Sequence, residues 1–107
     1  MTTRRDPFAE VMTEAELMSL VRDLATRIGL RCYHTHDSRR SDAGWPDLAI
    51  VGRRLLLREL KTETGRVRPE QQEWIDDLGR AGADVDVWRP SDWRSGRIAA
   101  ELTEAAR

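Results

Sequence analysis

The chain has 107 residues and a mass of 12.3 kDa, the size of one domain, so its chemistry must come from a single core or from a dimer of it. With 39% hydrophobic and 35% charged residues it can fill a modest core, which excludes wholesale disorder. One cysteine, Cys32, excludes an internal disulfide, and with two histidines beside it the soft ligands are too few for a Cys/His zinc site. No apolar run reaches the roughly 18 residues of a membrane span, and the opening MTTRRDPFAEVM lacks the apolar stretch of a signal peptide. A soluble protein of a reducing, cytoplasmic setting is expected.

The net charge of −1 is unevenly spread. Residues 31–68 carry nine Lys/Arg against five acids, whereas 1–30 carry four against five and 69–107 five against nine. A basic middle between acidic ends could meet a phosphate backbone with one face; chance clustering on a solvated surface gives the same numbers. Lys61 is the only lysine among 18 basic side chains. A chain so biased toward arginine that keeps one lysine suggests a position needing a compact ammonium rather than a planar fork.

In chain order, residues 1–12 read as a loose tail and 13–107 as the domain. Thr13-Glu14-Ala15-Glu16 is a capping-box pattern, and Leu17, Leu20, Val21, Leu24 and Ile28 form one stripe of a helix ended by Gly29. Leu30 to His36 reads as a strand and 37–44 as a polar loop. Leu48–Val51, the turn Gly52-Arg53 and Arg54–Lys61 read as a hairpin. Pro69 suits the first turn of a helix whose inward stripe is Trp74, Ile75, Leu78 and Ala81, ended by Gly82. Val85 and Val87 alternate with acids in a half-buried strand, and Ser91 is expected to cap a final helix through Ile98 and Leu102. The order α-β-β-β-α-β-α predicts a single α/β domain, a mixed sheet flanked by helices.

Residues two apart on a strand share a face, so Glu59 and Lys61 point the same way, with Leu55 and Leu57 expected to make that face apolar before them. The hairpin can bring Asp47 beside them. Charges taken out of water cost several kcal/mol each unless paired or metal-bound, which makes this trio look placed. It suits a hard divalent cation: Asp47 and Glu59 supply carboxylates, the Leu60 carbonyl a third oxygen, and water and a phosphate oxygen complete an octahedron. Lys61 would orient an attacking water and stabilise the transition state. The other reading makes Asp47 a turn residue and Glu59-Lys61 a surface pair. Gln71 projects from the sheet-facing stripe of the second helix. It could hydrogen-bond the nucleophilic water or a phosphate, or satisfy an amide of its own helix start, since Arg68 is a poor cap. Gln72, one step round, is expected to be exposed.

Gly44-Trp45-Pro46-Asp47, Glu59-Leu60-Lys61, Pro69-Glu70-Gln71 with Trp74, Ala81-Gly82 and Val87-Trp88-Arg89-Pro90 together resemble a VRR-NUC domain of the PD-(D/E)XK nuclease superfamily, in its stand-alone, phage-type form. The resemblance runs from about Glu14 to the end of the chain. It implies a restriction-endonuclease-like fold and a Mg2+- or Mn2+-dependent phosphodiesterase with Asp47, Glu59 and Lys61 at its centre and Gln71 beside them. It also implies an acid on the first helix, for which Glu14 fits best; a favourable helix N-terminal charge is the other reading of Glu14. Met18 and Arg68 depart from the family pattern, standing where a polar residue and a capping Ser or Thr are common.

The expected function is a metal-dependent DNA endonuclease, junction-resolvase-like and homodimeric, since one short chain offers little surface to a branched substrate. A non-catalytic nucleic-acid-binding module of the same fold, or a nuclease of linear or flap DNA, is the alternative. Arg39, Arg40 and Ser41, with Arg66 and Arg68, are the candidate DNA contacts. His34 and His36 could touch DNA or the metal water, or form a solvated face. Trp45, Trp74, Trp88 and Trp93 are expected in the core.

Overall fold

The computed structural model describes residues 7–35 and 42–107. His36, Arg39, Arg40 and Ser41 lie outside the described residues, and with them most of the expected basic loop. Helix α1 (Pro7–Val11) falls in the segment read as a loose tail; it buries Ala9, and the Arg94 guanidinium lies 5.1 Å over the Phe8 ring. Helix α2 (Glu14–Ile28) starts where the capping pattern puts it. The Thr13 hydroxyl accepts from the Glu16 amide at 3.0 Å, satisfying one of the amides that every helix start leaves over. The hydroxyl also donates to the Glu16 carboxylate at 3.2 Å, so Glu16 engages the Thr13 side chain.

Four strands form one sheet in the order β1 (Arg31–His34), β2 (Leu48–Val51), β3 (Leu55–Leu60) and β4 (Asp84–Trp88). The first three are antiparallel neighbours, and β4 runs parallel to β3. A parallel return needs a crossover, and α3 (Pro69–Arg80) supplies it. The expected order is kept, with α1 added in front and the final helix divided at Ser95-Gly96 into α4 (Pro90–Arg94) and α5 (Arg97–Ala106). Ser91 is not the cap: Arg89 is the extended flanking residue and Pro90 opens α4, where its missing amide hydrogen costs nothing.

The two sheet faces differ. Leu48, Ile50, Leu56, Leu60 and Trp88 pack with Leu17, Val21 and Ala25 of α2 and Ile98, Leu102 and Ala105 of α5 to form the core. Arg58 is buried on this face too. Its guanidinium donates to the carbonyls of Leu57 (3.0 Å) and Asp84 (2.8 Å) and to the carboxylates of Asp84 and Glu101 (both 2.9 Å), and it lies 5.0 Å over Trp88. The opposite face is covered only in part by α3. Trp74, Ile75 and Leu78 are half-buried and Ala81 is exposed, because α3 rests on the edge strand β4. Leu57 is buried there, but Leu55 is 51% exposed, so the apolar approach to Glu59 is one residue long rather than two. The β2–β3 turn is pinned from below: the Arg53 amide donates to the Ala105 carbonyl at 2.8 Å.

Candidate active site

The hairpin register builds the centre of the site. It pairs Leu48 with Arg58; carried one residue further it sets Asp47 directly across from Glu59, and opposed residues share a face. The Thr35 amide donates to the Asp47 carbonyl at 3.1 Å, extending the β1–β2 ladder to the same point. One more step sets Pro46 against Leu60. Proline has no amide hydrogen to give the Leu60 carbonyl, and the ladder stops. The Leu60 amide donates instead to Asp47 Oδ2 at 2.9 Å. Since a strand residue's N–H and C=O leave the same edge, the Leu60 carbonyl is also directed toward the side where Asp47 stands.

Glu59 and Lys61 project together from β3, 2% and 6% exposed. Lys61 Nζ lies 3.9 Å from Glu59 Oε1. Gln71 Nε2 donates to the same oxygen at 2.9 Å, and Gln71 Oε1 accepts from the Arg68 amide at 2.8 Å. Gln71 thus satisfies an amide of its own helix start, one of the two sequence readings, and its other end bonds Glu59 on the sheet. Gln72 is exposed as expected and bonds Asp76. The Lys61 amide donates to the Trp88 carbonyl at 3.1 Å. Beyond it, the Arg89 guanidinium gathers the carbonyls of Thr62 (2.7 Å), Glu63 (3.3 Å) and Gly65 (2.8 Å), which holds the segment leaving Lys61.

These groups border a cavity of about 320 Å³ lined by Glu14, Asp47, Glu59, Lys61, Arg68 and Gln71, among others. Glu14, in the first turn of α2, reaches it from the other side of the sheet edge. Gly44 lets the approaching loop pass against the start of α3: its φ is +90°, and a Cβ there would stand 2.4 Å from the Glu70 carbonyl oxygen. Burial pushes the Glu59 carboxyl up to about 8, helped by the Asp47 charge, a hydrogen bond with Asp47 and the Glu14 charge, while Lys61 pulls the other way. Among the described residues no group of three or more His, Cys, Asp and Glu side chains is gathered as a metal-binding cluster. The hard donors at hand are two opposed carboxylates, with the Leu60 carbonyl on the Asp47 side of β3. That set fits a cation such as Mg2+, which is held through one or two carboxylates and keeps several waters.

The sequence model of the VRR-NUC domain matches residues 4–92. This chain belongs to the VRR-NUC family. A solved VRR_NUC domain protein superposes with a TM-score of 0.61 at 25% identity, covering 71% of this chain and 76% of the other. No curated protein matches the chain. The family makes this a nuclease-like domain, and the order Pro46-Asp47, Glu59-Leu60-Lys61 is consistent with the PD-(D/E)XK superfamily.

Around the centre of this VRR-NUC domain the expectations divide. Arg68 lines the cavity, while Arg66 is exposed and outside its lining. His34 and Met18 line a second, larger depression of about 710 Å³ that follows α2 past Ser19, Arg22 and Thr26 to Asp47 and Leu60. Arg22 was missed in sequence; Glu14, Met18 and Arg22 recur at four-residue steps, a helix flank that the apolar stripe beside it obscures. The tryptophans are not all core. Trp88 is fully buried and Trp93 packs against the core, but Trp45 lines the cavity and meets the half-buried Trp74 edge to face at 4.9 Å. Among the described residues no helix is long and apolar enough to cross a membrane.

Proposed function

We propose that this VRR-NUC domain is a Mg2+- or Mn2+-dependent DNA endonuclease that hydrolyses phosphodiester bonds in branched DNA, as a homodimer in the manner of a junction resolvase. The observation that supports it most is the opposition of Asp47 and Glu59 at the end of the hairpin, with Lys61 on the same face. Asp47, Glu59 and the Leu60 carbonyl would hold the ion. When bound, a divalent cation there lowers the pKa of a coordinated water and offsets charge developing on the phosphate.

The chain's own groups do the rest. Asp47 has one carboxylate oxygen anchored by the Leu60 amide, which fixes the side chain beside Glu59. Lys61, too buried to wander, holds its ammonium where it orients the attacking water and neutralises a phosphoryl oxygen. Gln71 is a positioning residue: its bond to Glu59 Oε1 sets which way that carboxylate faces. Glu14 adds a third carboxylate at the cavity mouth. Arg68, with Arg39, Arg40, Ser41 and Arg66, carries the phosphate contacts of this reading. The dimer is supported by the exposed cross-strand pair Val51 and Leu55.

The test incubates labelled four-way junction and matched linear duplex with the protein and Mg2+, Mn2+ or chelator, beside Lys61→Ala. Metal-dependent cutting of the junction, absent in the variant, is expected. Bound but uncut DNA in every lane would overturn the enzymatic reading, cutting of the linear duplex alone would overturn the junction, and a monomer in sedimentation would overturn the dimer.

A further inference from the structure

A third cavity, about 290 Å³, opens beside the first and is lined by Tyr33, Thr35, Asp42, Trp45 and Trp74. It shares Thr35, Asp42 and Trp45 with the cavity that holds Asp47, Glu59 and Lys61, so the two are continuous. Tyr33 lies on β1 and Thr35 one residue past its end, two along from Tyr33, where the continued ladder places it opposite Asp47. Tyr33 therefore stands on the same sheet face, roughly 7 Å along the strand from that point, about the span of one nucleotide. It is 67% exposed, on an edge strand that α3 does not cover. Trp45 is 36% exposed.

Three aromatic side chains around one opening next to a site for phosphate chemistry call for an explanation. Structural duty accounts for part of it. Trp74 donates its indole N–H to the Ala43 carbonyl at 3.1 Å and meets Trp45 edge to face, which pins the loop leading to Asp47 onto α3. Tyr33 takes no part in that contact. Among the described residues the one charged side chain lining the opening is the acid Asp42, which repels phosphate and accepts hydrogen bonds from exocyclic amines and ring N–H groups. An opening with aromatic walls and an acid at its edge, next to the phosphate site, suits a base.

We infer that this opening receives an unpaired nucleobase of the strand being cut, stacked against Tyr33 and the Trp45–Trp74 pair, so that the enzyme selects DNA with an unstacked nucleotide next to the scissile phosphate. The inference rests on the nuclease reading and refines it. Blunt duplex keeps its bases in the stack, whereas branch points, flaps and single-stranded tails offer them.

The experiment measures binding in chelator, where nothing is cut, using a fluorescent oligothymidylate and an abasic oligonucleotide of the same length and phosphate count. The wild-type chain is expected to bind the thymidylate about tenfold more tightly than its abasic counterpart, with quenching of tryptophan fluorescence by the bases alone. Tyr33→Ala is expected to remove most of that ratio and Tyr33→Phe to keep it. Equal affinity for the two probes, or a Tyr33→Ala loss equal on both, overturns the inference. Cleavage of the junction is scored separately: a chain that prefers bases but cuts nothing in Mg2+ or Mn2+ overturns the nuclease reading alone, and one that cuts without preferring bases overturns the base site alone.

Discussion

The side-chain amide of Gln71 donates to the Glu59 carboxylate at 2.9 Å. Because the same side chain accepts from the Arg68 amide, the start of α3 and the charged end of β3 are one mechanical unit. A helix end and a buried acid satisfy each other through one residue.

Gln71→Ala removes both bonds. The expected stability loss is about 1–3 kcal/mol, the range for leaving the buried Glu59 carboxyl without its partner, the exposed Arg68 amide turning to water, read by urea denaturation. The expected kinetic effect is a fall in kcat of about tenfold or more with little change in KM, as for loss of positioning rather than of binding. Gln71→Glu retains the oxygen that caps α3 but faces Glu59 with a like charge, so it should cost more activity than alanine while costing less at the cap. A kcat unchanged in both variants contradicts the role given to Gln71.

Without metal, stability should decline as pH rises. The Glu59 carboxyl sits at about 8 in the folded chain against an ordinary 4.5, so between those values the folded state keeps a proton that the unfolded state has lost. The stabilisation is fully present below about pH 4.5 and is lost as pH rises through about 8. In chelator, the melting temperature of the wild type should fall across that window relative to Glu59→Gln, which has no proton to lose. Added Mg2+ near the upper end should restore it, since a ligand for the folded state stabilises by mass action. Parallel profiles for wild type and variant would refute the assignment.

Arg22 lies two helical turns beyond Glu14 along the larger depression. If the DNA strand runs there, Arg22→Ala should weaken binding to all sequences alike and lower the slope of log affinity against log salt by about one. Anisotropy titrations at several salt concentrations measure this; an unchanged slope removes the groove from the DNA path.

The Arg58 network has a different task. Glu101 accepts from Arg58, from the Trp88 indole at 3.1 Å and from Arg97 at 2.6 Å, which ties α5 to the parallel strand pair. Breaking a buried ion pair from one side costs about 3–5 kcal/mol, and Arg58→Ala is expected in that range. Glu101→Gln, which keeps an acceptor, should lose less. Chemical denaturation of the two variants checks the order, and Arg58→Ala no less stable than wild type would show the network to be ornamental.

The parts of this domain legible in sequence are those decided locally. The apolar runs on either side of Gly52-Arg53 reveal the hairpin, and its register brings Asp47 to Glu59 without tertiary information. Gln71 was legible as an amide out of place on an apolar stripe. What stayed hidden depends on partners distant in the chain. Nothing in the sequence marks Arg58 as buried; Asp84 and Glu101 make its burial possible. Trp45 and Trp74 read as core because large aromatics usually are, and only the partial cover given by α3 leaves them outside it. The break at Ser95-Gly96 is hidden because the apolar spacing that suggests the final helix, Ile98 and Leu102, lies wholly beyond it in α5.

The hairpin also bears on the order in which the site comes into being. Asp47 and Glu59 face each other across a tight local turn, a contact that closes on the microsecond scale. The pairing of β3 with β4 must wait for all of α3 to be laid down between them, and long loops close late. The two acids are thus gathered first, and the Trp88 carbonyl that anchors Lys61 arrives only when β4 docks. A folding chain has both acids opposed before β4 supplies the backbone partner of Lys61 and buries them, so a divalent cation in the medium is expected to speed refolding in a stopped-flow measurement.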